Sequence, residues 1–351
     1  MKINELAQRL GVTSRTIRFY GEKGLLPSGK REANGYRYFD EEDVWRLQTI
    51  VALREFGLPL ETIQQLLHGL DRGEPDTVRH QLELQRSVLF SKWIQWKSAL
   101  AALDRMIEQW NDRSPLPSDD LFRLADSIKQ IKSDRFSWTD RWNYDLKADQ
   151  FDIGNESPLG RLATPSEYDT ALRYSVEWVA PQPGETGVDI GAGTGNLTSR
   201  LMHKGAVLFA VEQSKSMLAR CRAKLPDVTC KLGNFLALPF FEGQFDFAAT
   251  SFAFHHLNEE QQLLALEEMN RVLKPQGRLV ITGLMYENAD ARHQLLLKLQ
   301  ESGQEELIRE LHERYPTDRS RLLAWLREHG YITVQQQLSP WIHMVYGMRR
   351  P

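Results

Sequence analysis

Cysteine is nearly absent from this chain of 351 residues: there are two, Cys221 and Cys230. They fall outside any C-x-x-C spacing and have no histidine close in sequence, so neither a disulfide framework nor a metal site is expected, and both read as core residues. No apolar run reaches the roughly 18 residues that a membrane-spanning helix requires. Met1-Lys2-Ile3-Asn4-Glu5-Leu6 reads as the start of a helix rather than as an export signal. These absences lead to the expectation of a soluble cytoplasmic protein with no membrane contact.

What is present suffices for two domains, given the length and a 41% hydrophobic content. The net charge of -3 hides an asymmetry. Residues 1–39 carry eight basic side chains (Lys2, Arg9, Arg15, Arg18, Lys23, Lys30, Arg31, Arg37) against Glu5, Glu22 and Glu32, a surplus of five. A basic surface of this kind is the footprint of a nucleic-acid contact or a plain solvated face.

Periodicity separates the two readings. Ile3, Leu6, Ala7 and Leu10 recur at helical spacing, Gly11 breaks the helix, and Thr13 or Ser14 can cap a second helix with Ile17 inside. The second helix is expected to expose Ser14, Arg15, Thr16, Arg18 and Tyr20, donors suited to phosphates and base edges in a major groove. Asn34-Gly35 signals a tight hairpin between Lys30-Arg31 and Tyr36-Arg37-Tyr38, a basic wing. The run from Ile3 to Leu66, with GVTSRTIRFYGEKGLL, NGYRYF and LREFGLPLETIQQLL, resembles the DNA-binding domain of the MerR family of transcriptional regulators. The resemblance implies that Arg15, Thr16, Arg18 and Tyr20, with Tyr36 and Arg37 on the wing, lie at double-stranded promoter DNA; Ser14 on the helix and Arg31 on the basic hairpin join them as DNA-binding candidates by position. It also implies action on RNA polymerase through promoter distortion.

From Pro75 to Trp110 no proline or glycine interrupts a helical pattern. Leu82, Leu89, Trp96, Leu103 and Trp110 lie seven apart, with Trp93, Leu100 and Ile107 alongside, which makes a heptad seam. We read residues 75–111 as a dimerisation helix, in the position where the MerR family places one, and expect a homodimer on a pseudo-palindromic operator. Relatives that sense metals or redox state use cysteines around this helix; here it has none.

The expected architecture is multidomain, α and α/β. A winged helix-turn-helix occupies residues 1–72, the dimer helix 75–111, and a linker with a helical segment (Leu121 to Lys132) 112–137. A Rossmann-like α/β domain spans 138–351. Strands are expected at Gly187–Ile190, Val207–Glu212, Thr229–Leu232, Phe245–Ser251 and Arg278–Leu284, followed by a hairpin of Tyr331–Leu338 and Ile342–Met348.

Val188-Asp-Ile-Gly-Ala-Gly-Thr-Gly-Asn196 places glycines where a strand turns into a helix and backbone must approach a ligand. Its G-x-G-x-G spacing departs from the dinucleotide fingerprint, and Glu212 ends the next strand, where an acid accepts from ribose hydroxyls. Gly233-Asn234-Phe235, Ser251-Phe-Ala-Phe-His-His-Leu257 and Arg271-Val-Leu-Lys-Pro-Gln-Gly277 follow in order, and Trp142-Asn143-Tyr144-Asp145 precedes them. Together these resemble the class I S-adenosylmethionine-dependent methyltransferases over about residues 138–349. Two departures stand out: Asn234 where aspartate is commoner, and Gln276 in place of the second glycine of a Pro-Gly-Gly. The resemblance implies S-adenosylmethionine as cofactor, S-adenosylhomocysteine as product, and a binding set of Tyr144, Asp189, Gly191, Ala192, Gly193, Gly195, Asn196, Glu212, Gln213, Asn234, Phe235 and Ser251. His255 and His256 are the candidate catalytic bases, since an unperturbed imidazole titrates at about 6.5. Tyr286 and Trp341 are candidate pocket walls.

The chain lacks a Pro-Cys nucleophile and an Asp/Asn-Pro-Pro-Tyr motif, which argues against methylation of DNA bases and for a small-molecule acceptor. Three functions remain distinct at this stage. One is a regulator that is also an active methyltransferase. Another is a regulator whose methyltransferase fold only senses cofactor or effector. The third is an enzyme whose head merely dimerises.

Overall fold

The computed structural model describes residues 1–26, 30–31, 37–109, 126, 129, 133, 140–152 and 159–350. Nearly all of the expected linker and helical segment at 112–137, with Trp110, Tyr36 and the Asn34-Gly35 turn, lies outside the described residues. The chain divides into two compact units, Met1–Gln85 and Arg86–Pro351.

In the first unit, α1 (Ile3–Arg9) and α2 (Ser14–Glu22) meet through Leu6, Ala7 and Ile17. Thr13 is the residue that caps α2, its hydroxyl accepting from the Thr16 N–H at 3.1 Å. β1 (Lys30–Arg31) pairs antiparallel with β2 (Arg37–Tyr38), as a wing requires. α3 (Glu41–Glu55) starts at a reciprocal Asp40/Asp43 capping box, and α4 (Leu60–Asp71) closes the core with Ile63, Leu66 and Leu67. Arg46 ties this helical layer by a two-pronged contact to Asp71, at 2.6 and 2.8 Å, and by its Nε–H to the Leu25 carbonyl.

α5 runs from Pro75 to Gln109, so the division between the units falls inside this helix. In its second half the Trp93 ring packs against Phe90 and Phe241, under the Arg271 guanidinium. Trp93, assigned above to the heptad seam, is therefore covered by its own chain. The remaining seam residues Leu82, Leu89, Trp96, Leu100, Leu103 and Ile107 stay exposed, Trp96 at 71% and Ile107 at 66%.

The second unit contains a mixed sheet between two helical layers. The strands are β3 (Thr186–Ile190), β4 (Val207–Glu212), β5 (Thr229–Leu232), β6 (Phe245–Ser251), β7 (Leu273–Tyr286), β8 (Thr317–Asp318), β9 (Tyr331–Gln337) and β10 (Ile342–Arg349). Their order is β5-β4-β3-β6-β7-β10-β9, with β8 paired parallel to the end of β7. β10 is antiparallel to both neighbours, which confirms the expected terminal hairpin. The central strands are buried on both faces, and this is why they read as continuous apolar runs. The strands are parallel, but their order of succession in the sheet reverses between β3 and β6, and the crevice at their carboxyl ends is where such sheets bind ligands.

β7 starts five residues before the expected Arg278, because Leu273 already pairs with Phe245 ahead of an irregularity. Within that extension Gln276 sits at φ +64° and is exposed. An L side chain is strained in that region, which accounts for the glycine of the usual motif. Gln276→Gly is expected to stabilise the unit by about 0.5–1 kcal/mol, strain relief outweighing the glycine entropy cost. Urea unfolding measures this, and an unchanged or lower midpoint contradicts the strain argument.

Candidate functional site

The crevice holds a cleft that opens to solvent, with about 940 Å³ of empty space counting the open part. Its floor is the turn after β3. A Cβ on Gly191, at φ +71°, would overlap Ala253 and stand 3.2 Å from the Phe235 ring. Backbone therefore faces the cleft there. Glu212, at the end of β4, is buried and turns both carboxylate oxygens to backbone donors. One accepts from the Gly193 N–H at 2.9 Å, the other from Gln213 and Ser214 at 2.8 Å. Burial still raises its pKa, against the pull of those three N–H groups.

The far wall is a strap, residues 140–152, latched by carboxylates. Asp140 accepts from the N–H groups of Trp142 and Tyr144 at 2.9 Å. Asp145 accepts from the Ser214 hydroxyl at 2.6 Å and the Ser216 N–H at 2.9 Å. Asp152 accepts from the Thr194 hydroxyl and the Asn196 amide at 2.8 and 3.0 Å. The strap thereby brings Tyr144 and Phe151 to the cleft, beside Tyr168 from α7 (Pro165–Val179).

Of the twelve candidate cofactor residues, ten line this cleft: Tyr144, Gly191, Ala192, Gly193, Asn196, Glu212, Gln213, Asn234, Phe235 and Ser251. Two do not. Asp189 lies beneath the glycine turn, fully buried, one oxygen accepting from the Thr198 hydroxyl at 2.6 Å and the other without a partner. Gly195 serves packing: a Cβ there would come within 2.9 Å of Leu225 and Cys221.

The two histidines separate. His256 lines the cleft and shares a 2.8 Å hydrogen bond between its Nε2 and the Tyr144 hydroxyl, with the Trp142 ring 4.2 Å away. Burial, with the charges of Arg314 and Lys147, lowers its pKa to about 3, so the near-neutral titration expected of it is not met. His255 is buried behind it, off the cleft. Tyr286 and Trp341 do not line the cleft either. Missed by sequence reasoning were Phe151, Tyr168 and Met217, apolar residues whose only signal was proximity to recognised motifs.

In the head, Arg15 and Arg18 stand exposed on α2, while Ser14 and Thr16 are half-buried. Tyr20 is the exception. At 7% exposure it packs in the core with Ile17, three positions before it on the same side of the helix, and Phe19 is exposed instead. Arg31 and Arg37 fall on the two wing strands.

Residues 1–70 match the MerR helix-turn-helix regulatory protein family, and residues 188–281 match a methyltransferase domain family. An uncharacterized methyltransferase of Alkaliphilus oremlandii is 33% identical over 148 residues, 42% of this chain and 68% of that protein. The chain belongs to the methyltransferase family. A second methyltransferase relative, from Bacillus licheniformis, is 31% identical over 160 residues, 45% of this chain and 75% of that protein. Among solved structures, the chain is similar to Haemonchus contortus phosphoethanolamine N-methyltransferase 2 in complex with S-adenosyl-L-methionine. That match has a TM-score of 0.48 at 15% identity and covers 62% of this chain and 60% of the other. The methyltransferase family match falls within the second unit and the MerR match within the first.

The methyltransferase unit carries a pH signature. Burial, reinforced by the Glu212 charge and opposed by Thr198, pushes the Asp189 pKa up to about 7. The folded state then keeps a proton that the unfolded state releases near pH 4, so this contribution is full below about pH 4, falls as pH rises and levels off above 7. Glu212 shifts in the same direction. Stability is expected to fall by about 2 kcal/mol between pH 5.5 and 7, with most of that slope removed in Asp189→Asn. Urea titrations across that range test it; equal slopes in both proteins would refute the assignment.

Proposed function

We propose that the chain is a promoter-binding regulator whose methyltransferase unit transfers a methyl group from S-adenosylmethionine to a small molecule, releasing S-adenosylhomocysteine. The observation that carries the enzymatic half is the buried Glu212 carboxylate at the end of β4, tied to the glycine turn at Gly193. The residues present suit that cofactor: a side-chain-free floor at Gly191, an acid at the neighbouring strand end, and aromatic walls. Bound there, S-adenosylmethionine supplies an electrophilic methyl group on a sulfonium.

Glu212 keeps lone pairs for ribose hydroxyls, Asn234 and Phe235 suit the adenine, and Gly191 and Gly193 offer backbone to the methionine part. Tyr144 and Phe151 on the strap exclude water, the main requirement of a transfer that needs alignment more than covalent help. Asp189 supports the turn from below.

A second reading is favoured by one observation. The candidate base in the cleft, His256, is engaged by Tyr144 and weakly basic. A fold that binds cofactor as a sensor, without turnover, accommodates that directly. The exposed Leu82, Leu89, Trp96, Leu100, Leu103 and Ile107 row on α5 supports a homodimer through this helix in either reading, acting with RNA polymerase in the cytoplasm, at the nucleoid.

Calorimetry should show S-adenosylmethionine binding that weakens about tenfold or more in Glu212→Ala, the loss expected of charge-assisted hydrogen bonds. Wild-type protein without binding would end the enzymatic proposal, and binding without turnover on a broad acceptor panel would select the sensor. For the head, a salt-dependent footprint on a pseudo-palindromic promoter site is expected to weaken about tenfold or more in Arg18→Ala. A footprint indifferent to salt and to that substitution would leave the head as a dimerising module.

A further inference from the structure

Behind His256, away from the glycine turn, lies a group of polar side chains that the reading above does not use. The ring of His255 is 4.3 Å from that of His256, centroid to centroid, and is 1% exposed, with both nitrogens unpartnered. Its Nδ1 lies 3.6 Å from the point where Gly283 would carry a Cβ. His343 on β10 pairs directly with Gly283 and so shares that face of the sheet. Thr317 on β8 pairs with Met285, two positions further along the same face. The Thr317 hydroxyl is buried and unpartnered. The segment from Arg314 to Arg319 wraps this patch, held by the Tyr315 N–H on the His255 carbonyl at 2.8 Å.

The unanswered atoms are mostly donors. Arg319 donates to His343 Nδ1 at 2.8 Å, so the neutral ring must carry its proton on Nε2. That Nε2 is buried with no partner at full hydrogen-bond geometry, the nearby Pro340 carbonyl being close enough to raise the ring's proton affinity. The Nε–H of Arg314 is likewise buried and unpaired, its Nη1 going to the Glu310 carbonyl. One nitrogen of His255 must also be a donor. Charge points the same way. Arg141, which donates to the Tyr315 hydroxyl, Arg314 and Arg319 converge here. Among the described residues the carboxylate that forms an ion pair with these arginines is Glu287, 3.6 Å from Arg319 and largely exposed. Asp140, also close, is taken up by the strap backbone. The Arg314 charge reaches His255, His256 and Tyr144, all of whose proton affinities it lowers, so the patch adjoins the cleft wall.

A buried set of donors with surplus positive charge, next to the cleft, suits an acceptor-only anion. We propose that the methyl acceptor carries an oxyanion, carboxylate or phosphate, which docks on Arg314 with His255, Thr317 and His343 completing the donor set. This rests on the methyl-transfer reading above and names its substrate class.

The test titrates acetate and inorganic phosphate, separately, into the full-length protein with and without saturating S-adenosylhomocysteine. Saturable binding of one anion is expected, about tenfold weaker in Arg314→Gln, with S-adenosylhomocysteine affinity unchanged within about twofold. Stronger acetate binding marks a carboxylate acceptor and stronger phosphate binding a phosphorylated one. Thr317→Val, which keeps shape and removes one hydroxyl, is expected to weaken the same anion if Arg314→Gln loses its fold. The proposal is overturned if neither anion saturates, which would leave the donors to internal water. It is equally overturned if neutral acetamide matches acetate or if both variants bind as wild type does. Failure of S-adenosylhomocysteine to bind would count against methyl transfer alone, since the unloaded protein still decides the anion site.

Discussion

The structure of the second unit depends on a buried carboxylate satisfied by backbone. Glu212 accepts from Gly193 in the turn after β3 and from Gln213 and Ser214 at the start of α9 (Lys215–Lys224). A carboxylate taken out of water without such partners costs several kcal/mol, so the turn, the strand end and the helix start are held in one arrangement. Ser214 extends the chain of contacts. Its hydroxyl accepts from the Met217 N–H to cap α9 and donates to Asp145 on the strap. The next residue back, Tyr144, reaches His256 on the opposite wall. One acid at a strand end thus organises the floor and one side of the cleft and indirectly closes the other.

Much of this was legible in the sequence, for physical reasons. Val207–Glu212, Thr229–Leu232 and Phe245–Ser251 were delimited to the residue; the first and third are largely buried and so read as nearly apolar runs, while Thr229–Leu232 is a short, partly exposed edge strand. The glycine turn was legible because few residues tolerate positive φ with a neighbour as close as Ala253. Gln276 was visible as a departure, and its left-handed backbone supplies the reason.

What was not legible depends on contacts between distant segments. Adjacent positions on a helix differ by about 100° in direction, and periodicity did not decide whether Phe19 or Tyr20 of α2 turns inward; the core around Ile17 does. The heptad count included Trp93 because Phe241, its partner, lies far along the chain. The histidine pair could be seen as a pair but not as two environments. The strap at Trp142 and Tyr144 covers His256, and the segment around Tyr315 covers His255. Phe151 and Tyr168 carry no motif, since an apolar wall requires only bulk.

The burial that removes His256 as a base also constrains the chemistry. With Nε2 engaged by Tyr144 and a pKa near 3, the imidazole stays neutral under any ordinary condition and offers no useful proton affinity. Under the methyl-transfer reading the acceptor atom must then arrive with a lone pair already available, as in a free amine, a thiolate or an oxyanion. The distribution of charge agrees with this. Two buried acids, Asp189 and Glu212, lie at the glycine-turn end, where a cationic donor is stabilised, and both have raised pKa values that such a cation would lower. Arg314 lies towards the His256 side and weakens the basicity of both histidines. Under the same reading, a cleft polarised in this way is suited to align a cationic donor with a negatively charged acceptor through fixed charges. Such an arrangement would supply catalysis by orientation and preorganised electrostatics, without a proton-transfer residue.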